Sequence, residues 1–277
     1  MPTSLASFKL KDAVREFWNA SPCGNRYLGG DDAYLDHENL RTALEPHIGE
    51  FANFESARGK RVLEIGVGLG ADYLQWRKAG ALATGIDLSQ VSLDKARQRC
   101  ERAGVVPDLM LGDAEHLEFG DNTFDLVYSY GVMHHSPDTQ QCLREAWRVL
   151  RPGGQLKIML YHHPSWTGFM LWVRYGIFRG KSLRQSVYQF LESPGTKSFP
   201  RDEVRQMLVG FDNIQFRQVF SPGDLLLHRA SPRFQGSAFR IAQRLYPRRI
   251  VRAFGGKYGL SLLVTARKSS ASPRDAK

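Results

Sequence analysis

The amino-acid sequence predicts an α/β fold, with a seven-stranded, mostly parallel sheet and helices on both of its faces. From residue 58 onward, short apolar runs typical of buried strands alternate with helix-like segments of about ten residues. The first run ends in three glycines at every second position, and each of the next two is followed by an aspartate within two residues. Strands separated in this way form parallel βαβ units, so the glycines and aspartates should meet at one edge of the sheet.

Seven strands are predicted, five of them in the first 160 residues and two nearer the end of the chain. The first five are Arg61–Ile65, Ala81–Ile86, Asp108–Leu111, Phe124–Ser129 and Gln155–Leu160, and the two closing strands are Ile214–Val219 and Leu260–Ala266.

The helices between these strands are predicted from their start and stop signals. Ala71–Ala79 is closed by Gly80, and a second helix is N-capped by Ser89 and ends at Gly104. The segment Gln140–Leu150 is expected to end where Arg-Pro-Gly-Gly at 151–154 breaks the helical pattern. A further helix, Arg201–Val209, follows Pro200.

The order of these elements divides the chain into four parts. Residues 1–57 are predicted to form an N-terminal helical cap and residues 58–160 the core. Residues 161–268 are expected to add a lid, a basic insert and the closing strands to the same domain, and residues 269–277 to form a flexible tail. The lid is placed at 162–200, where aromatic residues are frequent.

Composition narrows the class of protein. The 277 residues carry a net charge of +10, with 42% hydrophobic and 24% charged residues, which is a globular balance. No apolar run reaches the roughly 20 residues that span a bilayer, and the N-terminus lacks the apolar core of a signal peptide. Three widely spaced cysteines do not suggest a disulfide framework or a zinc site. A cytoplasmic enzyme with no structural metal is therefore expected.

The glycine loop suggests a nucleotide-type cofactor. Glycines between a strand and a helix let a ligand approach the main chain closely. A dinucleotide fingerprint places its third glycine one position later than Gly70, and Glu64 beside the loop would repel a pyrophosphate. A cofactor without phosphates is therefore favoured.

Five motifs in order give the chain a family resemblance. They are VLEIGVGLG, GIDLS, GDAEHLEF, FDLVYSYGVMHH and REAWRVLRPGG, and they cover about residues 58 to 160. This arrangement resembles the class I S-adenosylmethionine-dependent methyltransferases, in particular the small-molecule branch related to the quinone-biosynthesis C-methyltransferases. The resemblance implies a Rossmann-like core and S-adenosylmethionine as cofactor.

The resemblance also implies roles for the residues around the glycine loop. Gly66, Gly68 and Gly70 would let the methionine and ribose portion of the cofactor lie against the backbone. Glu64 would hold the glycine network and the ammonium side of the cofactor. Asp87, at the end of the second strand, would accept hydrogen bonds from both ribose hydroxyls.

The remaining cofactor contacts would come from the third and fourth strands. Leu88 would pack on the adenine, Asp113 would accept from the adenine amino group, and the Ala114 N–H would donate to the ring. Ser129 and Tyr130 would supply main-chain contacts near the methionine end.

Methyl transfer from a sulfonium needs a positioned nucleophile and sometimes a general base. The candidates for catalysis are His134 and His135 after the fourth strand, and Tyr161 and His162 after the fifth. Each of these histidines has a structural alternative, as part of the cofactor surround or as a satisfied residue at the rim.

Two other functions remain open on the same fold. One is an enzyme that uses S-adenosylmethionine without methylation, by cyclisation or C–S cleavage, and the other is a cofactor-binding protein without turnover. The acceptor atom, which could be O, N, S or C, is not specified by the sequence.

The segment 229–252 is the most basic part of the chain. It carries seven arginines, and no carboxylate lies between Asp224 and Asp275. A basic amphipathic helix here could contact an anionic membrane surface or an anionic substrate, could cover the protein's own active site, or could be a solvated surface. Nucleic acid is not the favoured partner, because the fourth strand lacks an Asn/Asp-Pro-Pro-aromatic run that would hold a flipped base.

Overall fold

The computed structural model describes residues 5–23, 33–227, 241 and 243–270. Its centre is a seven-stranded sheet with the strand order β3-β2-β1-β4-β5-β7-β6. Every neighbouring pair is parallel except those that involve β7, which runs antiparallel to both β5 and β6. The strands are β1 (Arg61–Ile65), β2 (Leu82–Asp87), β3 (Leu109–Leu111), β4 (Phe124–Tyr130), β5 (Leu150–Tyr161), β6 (Phe211–Val219) and β7 (Ser261–Lys268).

Helices lie before, between and after these strands, and the predicted fold class is confirmed. The α-helices are α1 (Leu5–Ala20), α2 (Ala33–Leu44), α3 (His47–Ala52), α4 (Ala71–Lys78), α5 (Gln90–Arg102), α6 (Thr139–Val149), α7 (Trp166–Leu171), α8 (Leu183–Phe190), α9 (Arg201–Met207) and α10 (Arg248–Phe254). Among the described residues, no helix is long and apolar enough to cross a bilayer.

Several boundaries differ from the sequence expectation: β6 begins at Phe211 rather than Ile214, and the largest difference is in β5. The predicted strand at Gln155 begins instead at Leu150, so the Arg-Pro-Gly-Gly segment belongs to β5. Phe124 pairs with Leu150 and Leu126 pairs with Gln155, so an advance of two residues along β4 corresponds to an advance of five residues along β5. The extra residues form an irregularity in the strand, where Gly153 adopts a φ of 75°.

Alternating residues of β1 supply the two faces of the sheet with apolar side chains. Leu63 and Ile65 pack in one core cluster with the inner residues of α6 and α9. Val62 packs on the other face with Trp76 of α4 and Leu93 of α5. Because residues two apart point to the same face of a strand, this short segment anchors helices on both sides of the sheet.

The segment predicted to be a lid, residues 162–200, is joined to the closing strands by a buried carboxylate, that of Asp224, as well as by backbone hydrogen bonds. The carboxylate accepts hydrogen bonds from the backbone N–H groups of Thr167, Ser221 and Leu260 at 2.7–2.9 Å. The hydroxyls of Thr167 and Ser221 also donate to it, at 2.8 and 3.0 Å. Since Thr167 lies in the first turn of α7 and Leu260 directly precedes β7, this carboxylate fixes the lid to the sheet.

Candidate active site

A cavity of about 760 Å³ opens at the carboxyl ends of β1, β2, β4 and β5. This is the edge at which open α/β sheets bind their ligands. Helices α1 and α2 cover one part of the cavity, and α7 together with the loop at 221–226 covers another.

The three glycines of the loop have different surroundings. Gly66 and Gly68 line the cavity, and a Cβ built on Gly68 would meet no atom within 4 Å. Gly70 does not line the cavity. A Cβ built on Gly70 would lie 2.9 Å from the Cβ of Ala96 in α5. The structure therefore gives Gly70 a packing role between α4 and α5, which differs from the cofactor contact that the resemblance implies.

Asp87 lies where the sequence predicts a ribose acceptor. Its side chain lines the cavity and accepts hydrogen bonds from the backbone N–H of Gly68 at 2.9 Å and of Ser89 at 2.8 Å. Burial raises the pKa of Asp87 to about 6, although the neighbouring amides oppose the shift. The carboxylate is thus held in place by the backbone of the glycine loop and of Ser89, and Leu88 lies beside it in the cavity wall.

Asp113 and Ala114 line the cavity after β3, but Asp113 is not alone there. Lys11 of α1 donates to Asp113 at 2.6 Å and lies 2.6 Å from a carboxylate oxygen of Glu115. The other oxygen of Asp113 accepts from the backbone N–H of Glu115. The predicted adenine acceptor is therefore also the attachment point of the N-terminal helix.

Glu64 lies behind the loop and does not line the cavity. It is 3% exposed, and burial, together with nearby Asp72, raises its pKa well above the usual range. Asp72 is itself held by both guanidinium nitrogens of Arg41 and by the hydroxyl of Tyr128. Arg41 lines the cavity, whereas Glu64 does not.

Of the two cofactor-binding residues predicted at the end of β4, one lines the cavity and the other does not. Tyr130 lines the cavity and its hydroxyl donates a hydrogen bond to Glu45 at 2.9 Å. His47 Nε2 lies 2.8 Å from the Tyr130 hydroxyl oxygen. Ser129 is buried and donates its hydroxyl to the carbonyl of Ile65 at 3.0 Å. Ser129 thus ties β4 to the glycine loop from outside the cavity.

The four catalytic candidates divide in the same way. His135 and Tyr161 line the cavity, whereas His134 and His162 do not. His134 is fully buried with its ring 3.8 Å from that of Tyr161, and His162 Nδ1 lies 3.0 Å from the carbonyl oxygen of Phe199. Burial lowers the pKa of both His134 and His162.

Sequence reasoning missed one residue beside His135 and Tyr161. Glu192 follows α8, lines the cavity and accepts a hydrogen bond from the Tyr161 hydroxyl at 2.8 Å. His135 Nε2 lies 3.5 Å from the same carboxylate oxygen. The available sequence signal was its isolation, because no other Asp or Glu lies between Glu145 and Asp202.

His134, His135 and Glu192 offer three potential metal ligands within 4.8 Å of one another. His134 is fully buried and its ring stacks against Tyr161, and the hydroxyl of Tyr161 already donates to Glu192. The expectation that the chain holds no metal therefore stays a prediction.

The basic insert is described only in part. Arg229, Arg233, Arg240, Phe239 and Ala242 lie outside the described residues. In the described part of the insert, helical structure is interrupted at Tyr246 and Pro247 before α10 begins, so the basic amphipathic helix considered from the sequence is not continuous there. Arg248 is partly buried, and its guanidinium donates to the carbonyls of Leu225 and Leu226.

The comparisons with known proteins agree with this architecture. A family model described as "Methyltransferase domain" matches residues 63–158. The demethylmenaquinone methyltransferase of Tropheryma whipplei is 34% identical over 181 residues, covering 62% of this chain and 74% of that protein. Methyltransferase GfsG of Streptomyces halstedii is 38% identical over 112 residues, covering 39% and 40%.

Solved structures show the same fold at low sequence identity. A chain of the Haloferax volcanii complex between the Trm112 methyltransferase activator and a methyltransferase superposes with a TM-score of 0.60 at 17% identity, covering 94% of this chain and 99% of that one. The [4+2]-cyclase SpnF superposes with a TM-score of 0.54 at 20% identity, covering 98% and 97%. The chain belongs to the class I S-adenosylmethionine-dependent methyltransferases, in their small-molecule branch.

Proposed function

We propose that this cavity binds S-adenosylmethionine against Gly66, Gly68 and Asp87, and that the methyl group passes to a small-molecule acceptor held beneath the lid. One observation supports this most strongly. A single cavity joins the glycine loop and its acidic neighbours to a wall of lid residues. Its volume of about 760 Å³ lies within the range of ligand pockets that enclose a drug-sized molecule.

The residues around the loop suit this cofactor. The open space above Gly68 leaves room for a ligand on the main chain, and Asp87 offers a carboxylate for vicinal hydroxyls. When bound, S-adenosylmethionine would supply an activated methyl group on a positively charged sulfur. The chain's own part is then to align the acceptor with that carbon and to exclude water.

Calorimetric titration with S-adenosylhomocysteine tests the cofactor assignment. Asp87→Asn should weaken binding about 5- to 150-fold, which corresponds to the roughly 1–3 kcal/mol for polar groups left without a partner. Asp94→Asn is the matched control, because Asp94 lies on the exposed side of α5 with 56% of its side chain accessible. Equal affinity for both variants would remove Asp87 from the site.

Mass analysis of the products separates methyl transfer from its alternatives. S-Adenosylhomocysteine together with a methylated acceptor is expected. Methylthioadenosine would indicate cyclisation or C–S cleavage, and binding without product would indicate a non-catalytic protein. The likeness to a cyclase concerns the fold alone, so it does not change the proposal. A cytoplasmic location is proposed from the sequence.

A further inference from the structure

We propose that Glu192 is the base that removes the acceptor's proton, and that the acceptor is a hydroxyl group carried on an apolar skeleton. This inference rests on the proposed function. It specifies the acceptor atom and a catalytic residue, neither of which follows from membership of the family.

Glu192 is held by two side chains at the end of the cavity formed by β5 and the lid. Its Oε2 atom accepts from the Tyr161 hydroxyl at 2.8 Å and lies 3.5 Å from His135 Nε2. All three side chains line the cavity, and Glu192 is 36% exposed. A carboxylate positioned in this way can reach an acceptor and still exchange protons with water.

The neighbours of Glu192 are less suited to be the base. His135 is buried, and its Nδ1 lies 2.8 Å from the hydroxyl of Ser193 and 3.1 Å from that of Thr196. Burial lowers the pKa of His135 to about 3, with Lys197 contributing, so the ring is a weak base. Burial also raises the pKa of Tyr161, which keeps its hydroxyl protonated and donating to Glu192.

The cavity wall at this end is mainly apolar, although Thr167, Arg174 and Ser221 also line the cavity. The aliphatic and thioether side chains that line the cavity here are those of Met170, Leu171, Leu191, Leu226 and Leu260. Leu191 directly precedes Glu192, so the polar group and the apolar wall belong to the same segment. Such a wall favours an uncharged apolar molecule that presents one polar group to the carboxylate.

The proposed step balances in atoms and charge. The acceptor O–H proton moves to the Glu192 carboxylate as the oxygen–methyl bond forms and the methyl–sulfur bond breaks. The products are a methyl ether, a neutral thioether and the Glu192 carboxylic acid, which returns its proton to water. The other titratable or charged groups around this cluster are His134, Lys197, Cys23, Glu45 and Arg174.

A binding experiment without turnover gives the first test. The probe is 4-nitrophenol, titrated spectrophotometrically against the protein with S-adenosylhomocysteine present. In the wild type the pKa of the bound phenol should rise relative to free 4-nitrophenol, because its anion would face a carboxylate. Glu192→Gln should cancel that rise, whereas Glu203→Gln, an ion-paired glutamate of α9 outside the cavity, should preserve it.

Turnover with two matched acceptors gives the second test. 1-Naphthol needs a base at neutral pH, whereas naphthalene-1-thiol is already largely ionised. Glu192→Gln should slow naphthol methylation about 100-fold or more and thiol methylation less than threefold.

Several results would overturn the proposal. They are equal losses with both acceptors, no loss with naphthol, a bound-phenol pKa that does not depend on Glu192, or inhibition by EDTA. Neither probe binding or reacting, while S-adenosylhomocysteine still binds, would also overturn it. In that last case the cofactor assignment survives, so the two failures are distinguishable.

A separate observation carries a second inference, which concerns the outer surface of the lid. We infer that this surface docks on an anionic lipid bilayer. The helical segment 166–179 exposes Phe169, Val173, Ile177 and Phe178, the last of them 94% accessible. Ile250 of α10 borders Phe169 across a small apolar pocket and is itself 61% exposed.

The charges around this surface select the bilayer as occupant. Arg179 is exposed on the same segment, and Arg249 and Arg252 are exposed on α10. The sequence has no Asp or Glu from 146 to 191 or from 225 to 274, so no carboxylate of these segments opposes them. Exposed aromatic and aliphatic side chains beside arginines fit the headgroup region of an anionic membrane.

Sedimentation with vesicles tests this surface. Binding to vesicles of phosphatidylglycerol and phosphatidylcholine is expected, with loss on phosphatidylcholine alone or at high salt. Phe178→Asp should reduce binding at least tenfold, and Val106→Asp, at a residue 80% exposed in the loop before β3, should not. Equal binding by both variants, or dimerisation through Phe178 measured by light scattering, would overturn the inference.

Discussion

The buried carboxylate of Asp224 allows a stability prediction that can be worked out from its contacts. Its Oδ1 accepts from the N–H and hydroxyl of Thr167, and its Oδ2 accepts from the N–H and hydroxyl of Ser221 and the N–H of Leu260. The side chain has no solvent exposure. Replacing it therefore leaves buried donors without an acceptor.

The two obvious substitutions should differ in cost. Asp224→Asn can keep its oxygen on Ser221 and Leu260, which leaves one backbone N–H, that of Thr167, facing an amide. Each orphaned buried donor costs about 1–3 kcal/mol, so this change should lower the free energy of unfolding by about that amount. Asp224→Ala removes the acceptor from three backbone N–H groups and should cost at least about 3 kcal/mol.

Urea unfolding followed by circular dichroism measures this series. We expect the order wild type, Asp224→Asn, Asp224→Ala in decreasing midpoint, with an unchanged slope. The control is Asp212→Ala, an exposed aspartate of β6, which should stay within about 0.5 kcal/mol of the wild type. A loss under about 1 kcal/mol for Asp224→Ala, or equal losses for the two Asp224 variants, would refute the reasoning.

Two further predictions concern the glycine loop and acid stability. Gly70→Ala should lower the free energy of unfolding by about 1–3 kcal/mol more than Gly104→Ala, because both have positive φ but only the Gly70 Cβ would collide, with Ala96. Urea titration of the two variants checks this, and equal losses would contradict the packing role. His37 accepts from Arg99 at 2.9 Å, and burial lowers its pKa to about 4, below the 6.5 of the unfolded chain. Its contribution is therefore complete above pH 6.5 and is lost as pH falls toward 4, by up to about 3 kcal/mol. His37→Gln should flatten the stability profile in that window, and an unchanged slope would show that His37 does not titrate as described.

The residues of the site that could be predicted are those that belong to motifs of short, regular spacing in the sequence. Gly68 and Asp87 could be placed because a glycine loop and a strand-terminal acid are short-range signals that the fold brings to one edge. Gly70 belongs to the same motif, yet its neighbour Ala96 lies 26 positions away in the chain. No motif reports such a distant contact.

The lid was harder to predict because its function depends on side chains brought together over long chain separations. Glu192 meets Tyr161 across 31 positions, and Asp224 meets Thr167 across 57. His162 shows the opposite error, since a histidine next to the cavity-lining Tyr161 points to the carbonyl of Phe199 instead. Adjacent side chains of a strand point to opposite faces of the sheet, and the sequence does not indicate which of the two side chains reaches the cavity.

The N-terminal helix and the lid are attached over the cavity by contacts of different chemistry. The N-terminal helix α1 is held by the ammonium of Lys11 on Asp113 and Glu115, a contact that dissolved ions weaken. The lid is held by Asp224, which salt cannot reach. Ionic strength should therefore speed the exchange of a ligand that passes Lys11 and leave unchanged the exchange of one that passes the lid. The exchange rates of the cofactor and of the acceptor could then be changed separately in the same cavity.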